Sequence, residues 1–221
     1  MNMKSILTPL LFLSLTACSI LDNKNIAPGY VEAYKSIKSL FINGENYQIT
    51  PSIVNNIPYA SSLFKIGRGP TGLIILESKR YNINTWVSAD GVYIVVKDGK
   101  IIQTSGLKNN LIDYVSPLKD INYLSFKEKF LFTSYYSYDS PVLNNLQVKS
   151  SIKIIGEEEV QLLNKTIILT LVEETVDNTY LGWSVINKYW VDNQNFVWKT
   201  IQHISPKLPP FFIEVTKKPA K

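Results

Sequence analysis

The chain of 221 residues has one cysteine, Cys18, and one histidine, His203. One cysteine closes no intrachain disulfide and makes no thiolate metal site. A Ser-His-Asp relay or a His-based metal centre would have to be built on His203 alone. That residue falls inside the β-patterned run 196–204, where a surface or half-buried strand histidine is the simpler account. No apolar run reaches the roughly 20 residues that cross a bilayer as a helix. No glycine-rich loop follows a strand and opens a helix, as a phosphate cradle requires. Gly67-Arg68-Gly69-Pro70 is superficially similar, but its proline lacks a backbone N–H that such a cradle would use. There is no repeat of fixed period and no basic block. The net charge of +5 comes from scattered lysines, which gives nucleic-acid binding little support. No cofactor and no metal are implied.

What is present begins at the N-terminus. Lys4, an apolar block over 6–15 and then small residues have the layout of a secretory signal. Leu15-Thr16-Ala17-Cys18 resembles the bacterial lipobox. That resemblance implies cleavage before Cys18, diacylation of its sulfur and acylation of the new amine. The competing accounts are an ordinary secretory signal with an incidental cysteine, or a buried cysteine. The place of Cys18 at the end of the apolar block argues against both. One acyl chain holds a protein only marginally, and several make a stable anchor. Ser19, in place of the aspartate that retains enteric-type lipoproteins in the inner membrane, resembles the lipoproteins exported to the outer one. The expected organisation is a signal peptide over 1–17, a lipidated polar tether over 18–28 and one β-rich domain over 29–221. The part after cleavage, roughly 200 residues, is long enough for a single domain with a real core.

Apolar residues recur at Tyr30, Ala33, Tyr34, Ile37, Leu40 and Phe41, which makes one helical face, and Asn43-Gly44 stops it. After this one amphipathic helix the punctuation turns to β. Short apolar runs at 63–66 and 73–76 flank the Gly67–Pro70 loop. Asp90-Gly91 and Asp98-Gly99 read as type I′ hairpin turns in a meander of strands at 85–88, 92–97 and 100–104. Ser116-Pro117 could cap a short helix, and the aromatic run 126–138 reads as a strand. Residues 146–154 alternate apolar and polar as a half-buried strand. Gly156-Glu157 reads as the turn that ends it, and 160–176 as one long or bent strand. Runs 183–191 and 196–204 flank a hairpin at 192–195, and 211–215 closes the chain. The fold class is mainly β, antiparallel, with one early helix.

The chemistry-bearing residues point weakly. Glycoside hydrolysis needs only two carboxyls about 5–10 Å apart. Glu157, Glu158 and Glu159 form a charged turn in this reading, and Asp90, Asp98 and Asp192 are explained by turn chemistry. Glu173 and Glu174 fall in a strand, so one must point outward, with solvation or ion pairing as the default. The four tryptophans and thirteen tyrosines suit sugar binding, through ring stacking and indole N–H donors, but tryptophans in β domains usually fill cores. Tyr189 and Trp190 are adjacent in a strand and must face opposite ways. At most one of them is inside if the sheet has a wet face. Arg68, on an exposed loop, could meet an acidic sugar or a partner.

One resemblance covers most of the chain, from about residue 33 to 215. Ile57-Pro58-Tyr59-Ala60-Ser61, Gly67-Arg68-Gly69-Pro70, Trp86-Val87-Ser88-Ala89-Asp90-Gly91 and Thr104-Ser105-Gly106-Leu107 occur in the order seen in the YjbF/GfcB family. Tyr189-Trp190-Val191-Asp192, Val197-Trp198-Lys199-Thr200 and Pro209-Pro210 resemble that family's C-terminal half. The family consists of outer-membrane lipoproteins encoded with exopolysaccharide or group 4 capsule machinery. The resemblance implies a barrel-like or strongly curved sheet of hairpins and meanders, and it implies a process with no established catalytic residues. The expectation is a non-catalytic accessory of polysaccharide export, lipid-anchored at Cys18 in the outer membrane and facing the periplasm. Its expected partners are an outer-membrane barrel or export protein and a polysaccharide. Candidate contact residues are Tyr59, Arg68, Trp86, Tyr189, Trp190 and Trp198. The alternatives are a Lol-type lipid or lipoprotein carrier, which needs an open apolar cavity, and a polysaccharide-trimming hydrolase.

Overall fold

The structure, a computed structural model, describes residues 49–220. Cys18, the signal, the tether and the amphipathic segment 30–41 lie outside the described residues. A short helix, α1 (Pro51–Asn56), leads into twelve strands. They are β1 (Ser61–Ile66), β2 (Gly72–Arg80), β3 (Ile83–Ser88), β4 (Tyr93–Lys97), β5 (Lys100–Ser105), β6 (Leu111–Val115), β7 (Phe130–Asp139), β8 (Val142–Gln161), β9 (Thr166–Asn178), β10 (Trp183–Val191), β11 (Val197–Gln202) and β12 (Phe211–Lys217). All lie in one antiparallel sheet ordered β5-β4-β3-β2-β1-β12-β11-β10-β9-β8-β7-β6. The two edge strands, β5 and β6, are consecutive in the chain, and the Leu111 N–H donates to Thr104 Oγ1 at 3.0 Å across the gap. The result is a nearly closed barrel.

Strand direction alternates, so the turns collect at two ends. One, the glycine end, carries the 67–71, 89–92 and 106–110 loops. The other, the amide end, carries Tyr81-Asn82, Asp98-Gly99 and the 192–196 turn. The expected meander is present, but its two Asp-Gly turns differ. Asp98 (φ 48°) and Gly99 (φ 83°) are both left-handed, the type I′ pattern. At the other turn only Gly91 is left-handed (φ 82°). Its N–H donates to Ser88 O at 3.1 Å and the Ser88 N–H donates to Val92 O at 2.9 Å. That is a type I turn closed by a glycine bulge, so the type I′ expectation is corrected there.

Three further expectations are corrected. Gly156-Glu157 is not a turn: β8 runs through it with a register shift between Ile154 and Gly156, and Glu157, Glu158 and Glu159 are exposed strand residues. The reversal falls at 162–165, so the stretch 160–176 is the end of β8, a turn and most of β9. Ser116-Pro117 opens no helix; Ser116 Oγ accepts from the Leu118 N–H at 3.2 Å in an irregular loop. That loop holds only a 3-10 turn at Tyr123–Ser125. The aromatic strand starts at Phe130, and Phe126 belongs to the same loop.

The barrel interior is packed. Phe64, Ile74, Trp86, Ile94, Tyr136, Trp183 and Phe211 belong to one continuous cluster. Tyr123, Val172, Tyr189 and Val197 form a second. Two clusters lie on the outer face. α1 sets Val54 over Leu73 and Ile75. The distal part of the β8–β9 hairpin packs Val160, Leu162, Leu169 and Leu171 against Trp190, and this cluster continues to Trp198 and Val215 at the end of the barrel. The Leu163 N–H donates to Glu214 Oε1 at 2.7 Å and fixes that hairpin on β12. A strand that would have one wet face is therefore covered on both.

Candidate functional site

The aromatics singled out by sequence do not gather on an open surface. Tyr189 is fully buried inside the barrel and Trp86 is 3 % exposed. Trp190 lies on the opposite face from Tyr189, as strand geometry demands, yet the hairpin flap buries it too, and its Nε1 donates to Glu158. Trp198 sits in the irregular pairing where β10 and β11 change register. Its indole donates to Asp192 Oδ2 at 3.0 Å, and Lys165 lies 3.5 Å over its ring. None of the four offers a free ring face to a sugar. Tyr59 is half-buried between α1 and β1, and Arg68 is exposed at the glycine end.

Trp86 and Trp198 nevertheless line a common cleft of about 330 Å³ at the amide end. Its walls come from the β2–β3 turn, the β4–β5 turn, the β10–β11 turn and the end of β12. The turn residues are there because their side chains lock the tips together. Asn82 Nδ2 donates to Asp98 Oδ2 at 2.9 Å. Asn195 accepts from the Tyr123 N–H at 2.8 Å and donates to Ile121 O at 2.8 Å. Asp192 accepts from Lys218 at 2.9 Å. Burial would raise its carboxyl, but hydrogen bonds from Lys218, Trp198 and the Phe196 and Gln194 N–H groups hold it below its ordinary value. Inside the mouth, Ser62 Oγ and Asn84 Oδ1 are buried without a hydrogen-bond partner.

Deeper in the barrel, Lys100 at the start of β5 meets Glu174 on β9 across the lumen. Lys100 Nζ lies 2.7 and 2.6 Å from the two carboxylate oxygens. Tyr189 Oη donates to the same carboxylate at 2.8 Å and Asn187 Nδ2 at 3.1 Å. Burial alone would lower the lysine, but the facing carboxylate raises it well above its ordinary value. Burial likewise opposes the charged carboxylate, but Lys100 and the hydrogen bonds from Asn187 and Tyr189 hold Glu174 below its ordinary value. Both groups stay charged and are satisfied by each other. Glu174 is 1 % exposed, so it reaches no polymer. Glu173 pairs with Lys188 at 3.4 Å on the outer face. Both glutamates are thus ion-paired. His203 lies just past β11, half-buried, and burial lowers its pKa. Its backbone N–H donates to Asn187 Oδ1 at 2.7 Å.

A larger groove, about 810 Å³, opens at the glycine end. Gly69-Pro70, Ala89-Asp90 and Gly106-Leu107 meet around it, above Phe64, Ile74 and Val92. Three of the segments that carry the sequence resemblance thus converge at one end of the barrel. A fourth joins them, since the Gly67 N–H donates to Pro210 O at 2.8 Å.

Known proteins are similar to this one in architecture and in sequence. The structure of the lipoprotein YmcC from Escherichia coli K12 superposes with a TM-score of 0.71 at 21 % identity, covering 86 % of this chain and 96 % of that one. The lipoprotein GfcB of E. coli K12 is 21 % identical over 187 residues, 83 % of this chain and 86 % of the relative. The lipoprotein YjbF of the same strain is 21 % identical over 165 residues, 71 % of this chain and 74 % of the relative. The family model described as group 4 capsule polysaccharide lipoprotein GfcB, YjbF matches residues 34–216, and the chain belongs to that family.

Proposed function

We propose that this protein is a non-catalytic accessory of capsule or exopolysaccharide export, anchored in the outer membrane by acyl chains on Cys18 and facing the periplasm. The observation that carries the reading is membership of a capsule polysaccharide lipoprotein family over residues 34–216. The lipobox-like Leu15–Cys18 segment and Ser19 support the anchor and its destination. The commitment of Glu174 to Lys100 inside the barrel supports a role played by surface and not by hydrolysis. In this role the protein works beside an export-system protein and the polymer it handles.

The apolar groove at the glycine end favours a second reading, a lipid or lipoprotein carrier. Against it, the interior behind the groove is filled by Trp86, Tyr136 and Trp183, so the groove does not continue as an open lumen.

Deletion tests the first reading. Surface or secreted polysaccharide should fall while precursor synthesis continues, and complementation by Glu174→Gln, if it accumulates, should restore the wild-type polymer length. A purified protein that shortens the polymer would instead establish a hydrolase. Transfer of acylated cargo from a periplasmic carrier would establish the second reading. Cys18→Ala should release the protein from membranes in detergent-free buffer; a variant that stays bound disproves the single tether.

A further inference from the structure

We propose that the cleft at the amide end binds an uncharged pyranose residue of the polysaccharide. This rests on the export reading above and adds to it a direct contact with the polymer.

Unmet hydrogen bonding is the first ground. Ser62, on β1, is fully buried, and its hydroxyl has no partner. Asn84, on β3, lines the same mouth, and its Oδ1 is likewise buried without a partner. A buried polar group left unpaired costs about 1–3 kcal/mol, so such groups are rare in native folds. A sugar hydroxyl both donates and accepts. It can give its proton to Asn84 Oδ1, and a neighbouring hydroxyl can exchange a hydrogen bond with Ser62 Oγ.

The second ground is the rim. Tyr81 is 91 % exposed and occupies a left-handed position (φ 56°) in the β2–β3 turn. Glycine or asparagine fits that conformation, and a bulky aromatic there is an outlier. A strained residue of this kind points to a role for its side chain. The Tyr81 ring stands at the lip of the cleft, where the C–H face of a pyranose can lie on it. The whole space, about 330 Å³, takes one sugar ring and part of the next.

Charge decides the class of sugar. Each cation of the cleft already has a partner. Lys218 is 2.9 Å from Asp192, Lys199 is 4.0 Å from Glu214, and Lys79 donates to Ala220 O at 2.5 Å. Asp98 is held by Asn82. An anionic sugar would have to displace one of these contacts, whereas an uncharged one meets only the two unsatisfied groups and the ring.

The test uses the full-length lipoprotein in mild detergent. The probe is the producing cell's own surface polysaccharide, partly hydrolysed and separated by anion exchange into uncharged and charged oligosaccharides. Binding is read by calorimetry and by the fluorescence of Trp86 and Trp198. The uncharged fraction should bind. Tyr81→Ala and Asn84→Ala should each weaken it by about ten-fold, the scale of a lost interface anchor or hydrogen bond. Arg68→Ala, at the other end, should leave it unchanged. Tyr81 is exposed, so its variant remains informative if Asn84→Ala fails to fold. Binding by the charged fraction alone, equal binding by wild type and Tyr81→Ala, or no binding at all would each overturn the proposal. If nothing binds but the deletion strain still loses surface polysaccharide, the sugar site falls and the export role stands. If the deletion strain keeps its polysaccharide, the export role falls.

Discussion

The two ends of the barrel are built by different means. At the glycine end the turns approach through their backbones. The Gly67 N–H reaches Pro210 O, and a Cβ on Gly106 would meet Gly91 O at 2.9 Å. At the amide end the tips are held by side chains, with Asn82 and Asn195 each bridging separate segments. The glycine end has the larger opening, about 810 against 330 Å³. Among the described residues, the unpaired buried groups Ser62 Oγ and Asn84 Oδ1 nevertheless belong to the lining of the smaller one. The size of an opening and its unmet chemistry are thus separate properties.

The strongest way to break this comparison acts on the ion pair in the lumen between the two ends. Lys100→Met or Glu174→Gln leaves a buried group without its partner and should cost about 3–5 kcal/mol, whereas Lys100→Met with Glu174→Leu should recover most of it. Thermal unfolding measures all three; a double variant as unstable as the singles would mean that the pair is not the unit. The pair also sets a pH dependence. Glu174 lies below its ordinary value, so its contribution is complete above the usual carboxyl range and is lost as pH falls through the lower folded value. Lys100 lies above its ordinary value, so its contribution is complete below the usual lysine range and is lost only as pH rises through the raised one. Urea unfolding from pH 7 downward should therefore show a steeper loss of stability than in the double variant, which keeps only the part due to other carboxylates such as Asp192.

The next contrast separates the ends by their Asp-Gly turns. A Cβ on Gly99 would lie 2.4 Å from Val197 Cγ2, whereas one on Gly91 meets nothing within 4 Å. Gly99→Val combines overpacking with a left-handed backbone and should cost about 3 kcal/mol or more. Gly91→Ala carries only the backbone term, about 1–2 kcal/mol. Equal melting temperatures for the two would remove the distinction. Smallest of all is Arg68→Ala on the exposed glycine-end loop. It should shift stability by less than about 0.5 kcal/mol, and a larger loss would mean that Arg68 carries a structural contact.

Much of this architecture is legible in the chain. The Asp-Gly pairs mark the meander because left-handed turns need them, and the alternation over 146–154 marks β8. Gly156 misleads because glycine followed by three glutamates has the composition of a turn. The true reversal at 162–165 begins with Leu162 and Leu163, which are apolar because Leu162 packs with Trp190, Trp198 and Val215 and Leu163 packs on the Val54, Leu73 and Ile75 cluster. The same flap explains why Tyr189 and Trp190 are both buried. A covered outer face leaves no trace in the strand it covers. Glu174 does carry a signal, since it shares inward parity with Val172 and Val176, but its partner Lys100 lies 74 residues away. Ser62 and Asn84 carry none. A polar residue in a strand looks the same whether water, protein or ligand meets it.

The pairing of β1 with β12 has one more consequence, which concerns the order of events as the chain folds. Ser61 is matched to Lys217, and its hydroxyl lies 2.9 Å from Thr216 Oγ1 across 155 residues of chain. Neighbours so far apart in sequence find each other slowly. The first strand of the barrel waits for the last before its second edge is paired. Until then the domain stays an incomplete sheet with an open edge.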